Sequence, residues 1–193
     1  LNLCIDKSTH LKYYFIYCNL VGAQDELVYD GRSFIIDSNG EIKKLAKIFE
    51  EDIVDFDSEI EDSMKIDYPN ISSNEKIYRA LCLGVKDYFK KTGFKKAVIG
   101  LSGGIDSALT AAIAADSLGN ENVIGVSMPS KFSSEHSKSD ARELAEKLGI
   151  QFEMISIHKS YNQIMESMEV FFNGTSPGLA EENLQARIRG NIL

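Results

Sequence analysis

Ala97-Val98-Ile99-Gly100-Leu101-Ser102-Gly103-Gly104-Ile105-Asp106-Ser107 is the stretch that decides the fold. Its first five residues form a short apolar run, the mark of a buried strand. From Asp106 to Leu118 the chain is alanine-rich and apolar on several faces, which predicts a buried helix. Between them lies a glycine-rich turn. Strand, turn and helix in that order put the turn at the carboxyl end of a strand, facing the positive N-terminus of the helix. Such a spot binds anions through free N–H groups. Gly103 and Gly104 let the backbone approach a phosphate, and the Ser102 and Ser107 hydroxyls add hydrogen bonds. No lysine follows the glycines, so this is not a Walker A loop. The glycine spacing is also wrong for a Rossmann fingerprint. Asp106 would repel a phosphate unless a cation lay between them, so it predicts Mg²⁺ held by oxygen ligands. The competing reading is a turn that only lets the helix pack on the sheet, with Asp106 as its cap.

Outward from this stretch the pattern repeats. Val123 to Met128 reads as a second strand and Phe152 to Ile157 as a third. Between them, Ser134 to Leu148 is a helix with Ala141, Leu144, Ala145 and Leu148 on one face, closed by Gly149. Two helical stretches follow, at about 158–172 and 179–193. This alternation predicts a parallel sheet covered on both sides. Upstream, Ser72 and Glu75 fit a capping box. Ile77, Leu81, Val85, Tyr88 and Phe89 then recur at helical spacing up to Gly93. Residues 50–70 are acidic, weakly periodic and carry Pro69, so they read as a linker. Residues 11–57 read as β-rich. Tyr13 to Cys18 predicts a buried strand, and Leu27 to Asp37 a second one, broken at Asp30-Gly31 and resumed at Phe34-Ile35-Ile36. Asn39-Gly40 marks a tight turn, and a further short strand is expected around Ile53 to Phe56.

Composition narrows the function classes. A net charge of −8 disfavours nucleic acid as the main partner. No apolar stretch approaches the roughly 20 residues that cross a bilayer. Cys4, Cys18 and Cys82 lie far apart without metal-ligand spacing, which suggests reduced, mostly buried thiols of a cytoplasmic protein. The chain begins with Leu1 and stops at Leu193 inside a helical pattern, so a fragment is expected.

Gly100 to Ser107 resembles the signature of the N-type ATP pyrophosphatases, which adenylate a substrate oxygen and release pyrophosphate held by this loop. The class includes NAD, GMP and asparagine synthetases and tRNA-thiolating enzymes, and the loop alone does not choose among them. Met128-Pro129-Ser130-Lys131-Phe132-Ser133-Ser134-Glu135 resembles the segment after the second strand of NAD synthetases, whose strand-end residue contacts adenine. Glu181-Glu182-Asn183-Leu184-Gln185-Ala186-Arg187-Ile188-Arg189-Gly190 resembles their segment for deamido-NAD and ATP. Met128 also reads as a plain core residue. Arg187 and Arg189 also read as a solvated face paired with Glu181 and Glu182. Tyr17 to Ser33, including Val21-Gly22-Ala23-Gln24-Asp25-Glu26-Leu27, resembles the last part of the nitrilase-like glutaminase domain fused to glutamine-dependent NAD synthetases.

The resemblance covers about residues 13–193 and implies an α/β fold. A parallel-sheet ATP-pyrophosphatase domain, adenine nucleotide α-hydrolase-like, is preceded by the C-terminal part of a nitrilase-like α/β domain. The implied organisation is 1–57 glutaminase-like, 58–71 linker and 72–193 synthetase. ATP would lie on Gly100, Leu101, Ser102, Gly103, Gly104, Ile105, Asp106, Ser107 and Met128. Deamido-NAD would meet Asn183 and Arg187, and Mg²⁺ would meet Asp106. The implied activity is ligation of ammonia, delivered from glutamine, onto deamido-NAD in a homodimer or larger homo-oligomer. Neither Cys4 nor Cys18 matches the family's glutaminase nucleophile, so no catalytic residue is assigned. The family's second Mg²⁺ carboxylate corresponds to no position up to Leu193, which puts turnover by this chain alone in question. A different pyrophosphatase-class amidotransferase or thiolase, or a nucleotide-binding module without catalysis, are the alternative readings.

Overall fold

Three parallel strands carry the second half of the chain: β6 (Ala97–Gly100), β7 (Val123–Ser127) and β8 (Gln151–Met154), in the spatial order β6-β7-β8. The computed structural model describes residues 1–58, 66–131, 133–172 and 178–193, the Phe172 side chain excepted. Chain contacts divide it into two compact units, Leu1–Thr92 and Gly93–Leu193.

In the second unit each strand leads to a helix. α3 (Ile105–Leu118) follows β6, α4 (Glu135–Leu148) follows β7, and α5 (His158–Ser167), α6 (Glu169–Phe172) and α7 (Leu179–Ile192) follow β8. The period of two along β7 sorts its side chains onto opposite faces. Val123 joins one core with Leu101, Ala111, Ala115, Ala141, Ala145 and Ile150. Val126 and Met128 join the other with Ile157, Tyr161 and Ile188. The sheet is thus covered on both sides, as the alternating pattern predicts. Gly125 is required here, because a Cβ would meet Leu101 Cδ1 at 2.5 Å. α4 has the expected ends: the Ser134 side chain accepts from the Ser137 N–H, and Gly149 closes it in the left-handed region. The 158–172 stretch is not one helix; α5 ends at Ser167, with Met168 as its C-cap, and α6 begins anew at Glu169. α3 is less buried than its alanine content suggests, with Ile105 and Leu109 exposed.

The first unit contains an antiparallel sheet of β1 (Phe15–Tyr17), β4 (Phe34–Ile36) and β5 (Ile42–Leu45), and a hairpin of β2 (Val21–Gln24) and β3 (Leu27–Asp30). Phe34, Ile36 and Ile42 form its core with Cys4, Ile5, Phe15 and Leu45. β4 turns into β5 at Asn39-Gly40, as expected. There the Asp37 carboxylate accepts the Asn39 and Glu41 N–H groups, both at 2.9 Å, and pairs with Lys43. Burial works against its charge. Those N–H groups and Lys43 outweigh burial and lower its pKa.

Several expectations need correction. The buried strand expected at Tyr13–Cys18 is shorter, Phe15–Tyr17, and is not buried: Ile16 and Tyr17, on its opposite faces, are both exposed. Residues 53–56 form no strand; the strand within 41–57 is β5, which pairs with β4. α1 (Asn2–Leu11) has no side-chain N-cap and ends on Lys12 rather than Gly, so neither boundary signal was present. Among the cysteines, Cys18 is exposed and Cys4 and Cys82 are half-buried. Of the expected linker, residues 59–65 lie outside the described residues, and 66–71 carry no helix or strand.

α2 (Ser73–Thr92) completes the unit. Only half of its capping box forms. Ser72 Oγ accepts the Glu75 N–H at 3.2 Å, while the Glu75 carboxylate pairs with Arg79 at 2.6 Å. α2 packs on the hairpin. Asp87 Oδ2 accepts the Ala23 N–H at 2.8 Å, and Lys91 donates to the Ala23 carbonyl and pairs with Asp87.

Candidate functional site

The loop after β6 runs from Leu101 to Gly104 and opens α3. Gly104 is the N-cap and has no side chain to offer, so no side chain closes the N-terminus of α3. At α4 the same position is closed by Ser134. Of these two helix starts, α3's keeps its first N–H groups open to an incoming anion. The two loop serines knit the turn together. Ser102 Oγ lies 3.1 Å from Ser107 Oγ and accepts the Gly104 N–H at 3.2 Å, and Ser107 Oγ donates to the Gly104 carbonyl at 2.9 Å.

Gly103 takes a φ of +81°, in the region that favours glycine. It is also pressed against α4: a Cβ there would lie 2.6 Å from the Ser137 carbonyl oxygen. Glycine at this position therefore serves helix packing as well as any phosphate.

A cavity of about 550 Å³ opens beside the loop, at the carboxyl ends of β6 and β7. Of the residues singled out from the sequence, Gly100, Leu101, Ser102 and Met128 line it. Gly103, Gly104, Ile105, Asp106 and Ser107 form the adjoining turn and first helical residues without lining it. Asn183 and Arg187 sit one turn apart on α7, both exposed, and do not line it. The lining also includes Ser137, Lys138 and Arg189, which were not assigned from the sequence. Lys138 is held by Glu135 at 2.7 Å. Arg189 donates from Nε to the Met128 carbonyl at 3.1 Å and from Nη2 to Gln185 Oε1 at 3.4 Å. The sequence signal for Arg189 was its place in the Glu181–Gly190 segment, which gave it no role of its own. Its contact spans 61 residues of chain, which no local pattern reveals. The anticipated pairing of Glu181 or Glu182 with these arginines does not occur among the described residues. Glu181 is buried and accepts the Gly178 N–H at 2.7 Å, capping α7.

Asp106 is exposed in the first turn of α3, and its carboxylate enters no ion pair or hydrogen bond among the described residues. No group of three or more His, Cys, Asp or Glu could hold a metal by itself among those residues. A single free carboxylate beside an anion site still fits Mg²⁺, which keeps several waters and completes its shell with substrate phosphates. No described helix is long and apolar enough to cross a membrane.

The NAD synthase family model matches residues 77–193, from within α2 to the last residue. This chain belongs to the NAD synthase family. A glutamine-dependent NAD(+) synthetase from Thermotoga maritima is 41% identical over 92% of the chain, and the match covers 37% of that protein. A structure of glutamine-dependent NAD+ synthetase from Acinetobacter baumannii in complex with ADP superimposes with a TM-score of 0.87 at 38% identity, covering 97% of this chain and 36% of the other. The NH3-dependent NAD synthetase from Campylobacter jejuni matches 64% of the chain, with a TM-score of 0.56 at 28% identity. This member of the NAD synthase family thus spans a little over a third of the length of its glutamine-dependent relatives.

Proposed function

We propose that the protein carrying this chain makes NAD from deamido-NAD, with ATP as activator and glutamine as ammonia donor. The observation that carries the reading is the uncapped N-terminus of α3, set behind the Ser102–Ser107 loop at the edge of a cavity large enough for a nucleotide. Membership of the NAD synthase family and likeness to glutamine-dependent synthetases along both units support it.

In this reading ATP lies across the ends of β6 and β7, its base toward Met128 and its phosphates on residues 100–107. The nicotinate carboxylate of deamido-NAD attacks the α-phosphorus. The bond to the β-phosphate bridge oxygen breaks and pyrophosphate leaves with the electron pair. Ammonia then attacks the acyl carbon of the adenylate, AMP departs and one proton is lost. Open amides of α3 and the serine hydroxyls hold the pyrophosphate as its charge grows, so the chain contributes positioning and charge stabilisation. Asp106 would hold Mg²⁺, which supplies neutralisation of the phosphate charge. Asn183 and Arg187, four residues apart on one helix face, are the proposed contacts to deamido-NAD. We further place the glutaminase-like part at 1–57, the linker at 58–71 and the synthetase part at 72–193, in a cytoplasmic homodimer or larger homo-oligomer.

The test is the full-length protein incubated with ATP, Mg²⁺, glutamine and deamido-NAD. AMP, pyrophosphate and NAD are expected in equal amounts, with Asp106→Ala abolishing them. Absence of AMP sinks the reading. AMP released only with xanthosine monophosphate, aspartate or tRNA points to another member of the loop class.

A further inference from the structure

We propose that Arg189 is a positioning residue of the nucleotide site: its guanidinium takes the Met128 carbonyl where β6 leaves the sheet, and so fixes the strand end against which the base lies. The inference rests on the ATP-site reading above. Its physical basis is the hydrogen-bond ladder at the end of β7. In a parallel sheet, successive residues of a central strand address its two neighbours alternately. The Val126 carbonyl accepts the Leu101 N–H at 2.8 Å, on the β6 side. The Ser127 carbonyl accepts the Ile155 N–H at 2.9 Å, and the Pro129 carbonyl accepts the Ile157 N–H at 3.1 Å, both on the β8 side. Met128 belongs to the β6 side with Val126. The donor a continuing ladder would bring next is the Gly103 N–H. Gly103, however, has already turned into the loop, at a φ of +81°.

Arg189 supplies the missing donor, Nε to Met128 O at 3.1 Å. Gln185, one turn earlier on α7, braces the guanidinium through its Oε1. Arg189 lines the cavity, and no carboxylate pairs with it among the described residues. The substitution of a side chain for a strand has two effects. It spares the carbonyl from being an unmet acceptor at a buried residue, since Met128 is only 7% exposed. It also leaves the Gly103 amide outside the sheet, where the phosphate loop needs it. Arg189 thus links the shape of the loop to the place of the base without touching the reacting atoms.

The full-length protein is compared with Arg189→Met and Arg189→Lys, reading the Kd for α,β-methylene-ATP together with KM and kcat for ATP and deamido-NAD. Loss of a charge-assisted hydrogen bond predicts a Kd and KM for the nucleotide about tenfold higher in R189M. In R189M, kcat and the KM for deamido-NAD are expected to stay within about twofold. R189K keeps the charge but not the Nε–H fork, and an intermediate rise of about threefold is expected. Unchanged nucleotide affinity in R189M overturns the proposal. So does a fall in kcat at unchanged KM, which would make Arg189 a contact to the reacting group. If R189M does not fold, R189K decides: affinity equal to wild type overturns the proposal. The two readings fail separately. Wild-type protein that binds the analogue but forms no AMP sinks the proposed reaction, while the affinity ratio still judges Arg189.

Discussion

Gly103 shows how one residue can answer two demands. The loop needs a backbone free of Cβ, and α4 needs room to approach. Gly103→Ala would place Cβ at 2.6 Å from a backbone oxygen and force an L residue to a φ of +81°. The expected cost is about 2 kcal/mol or more, read as a lowered urea midpoint at unchanged slope. A midpoint equal to wild type would mean the loop relaxes freely. The turn at Ser102–Ser107 was legible from the sequence because the strand end, the glycines and the helix start are local signals, written within a few residues. The contact of Arg189 was not, because its partner Met128 lies 61 residues away, just beyond the end of β7.

Elements meet in the first unit through a polar clasp. The edge of β2 away from β3 offers the Ala23 N–H and carbonyl, and α2 answers both with Asp87 and Lys91, four residues apart. Acceptance of the Ala23 N–H, aided by Lys91, outweighs burial and lowers the pKa of Asp87. A lowered carboxylate pKa means the unfolded chain takes up the proton first. Its contribution is therefore complete above about pH 4, and is lost as pH falls through the lowered native value. Asp87→Ala is expected to cost about 1–2 kcal/mol at neutral pH, and to speed amide exchange at Ala23. The difference from wild type should shrink on acidification below pH 4. A difference that persists at low pH, or unchanged exchange at Ala23, would show that the clasp carries no stability. Gly22 belongs to the same contact, since a Cβ there would come within 2.9 Å of Asp87 Oδ2.

At the scale of the whole chain, exposed apolar groups are prominent. Ile53, Val170, Ile105, Leu179 and Phe171 are each at least three-quarters exposed. Val170 and Phe171 are neighbours on α6, and contiguous exposed apolar surface favours association. The chain expressed by itself is expected to self-associate in a concentration-dependent way, seen as a rising weight-average mass in sedimentation equilibrium. A monomeric mass across the concentration range would contradict this. The chain's place in the NAD synthase family rests on the family match over residues 77–193 and on likeness to relatives along 92% of its length.

The sequence by itself determined the α/β alternation, the glycine-rich turn between β6 and α3, the Gly149 end of α4 and the family, because each is written in neighbouring residues or in their order. It did not reveal α1, whose boundaries lack a capping side chain and a glycine, or β5, which is defined by its pairing with β4. Tertiary structure alone decided which side chains line the cavity. Asn183 and Arg187 stay on an exposed face of α7, while Ser137, Lys138 and Arg189 reach the cavity. The physical reason is that helix periodicity says which residues share a face, but only packing against the sheet says which face turns inward.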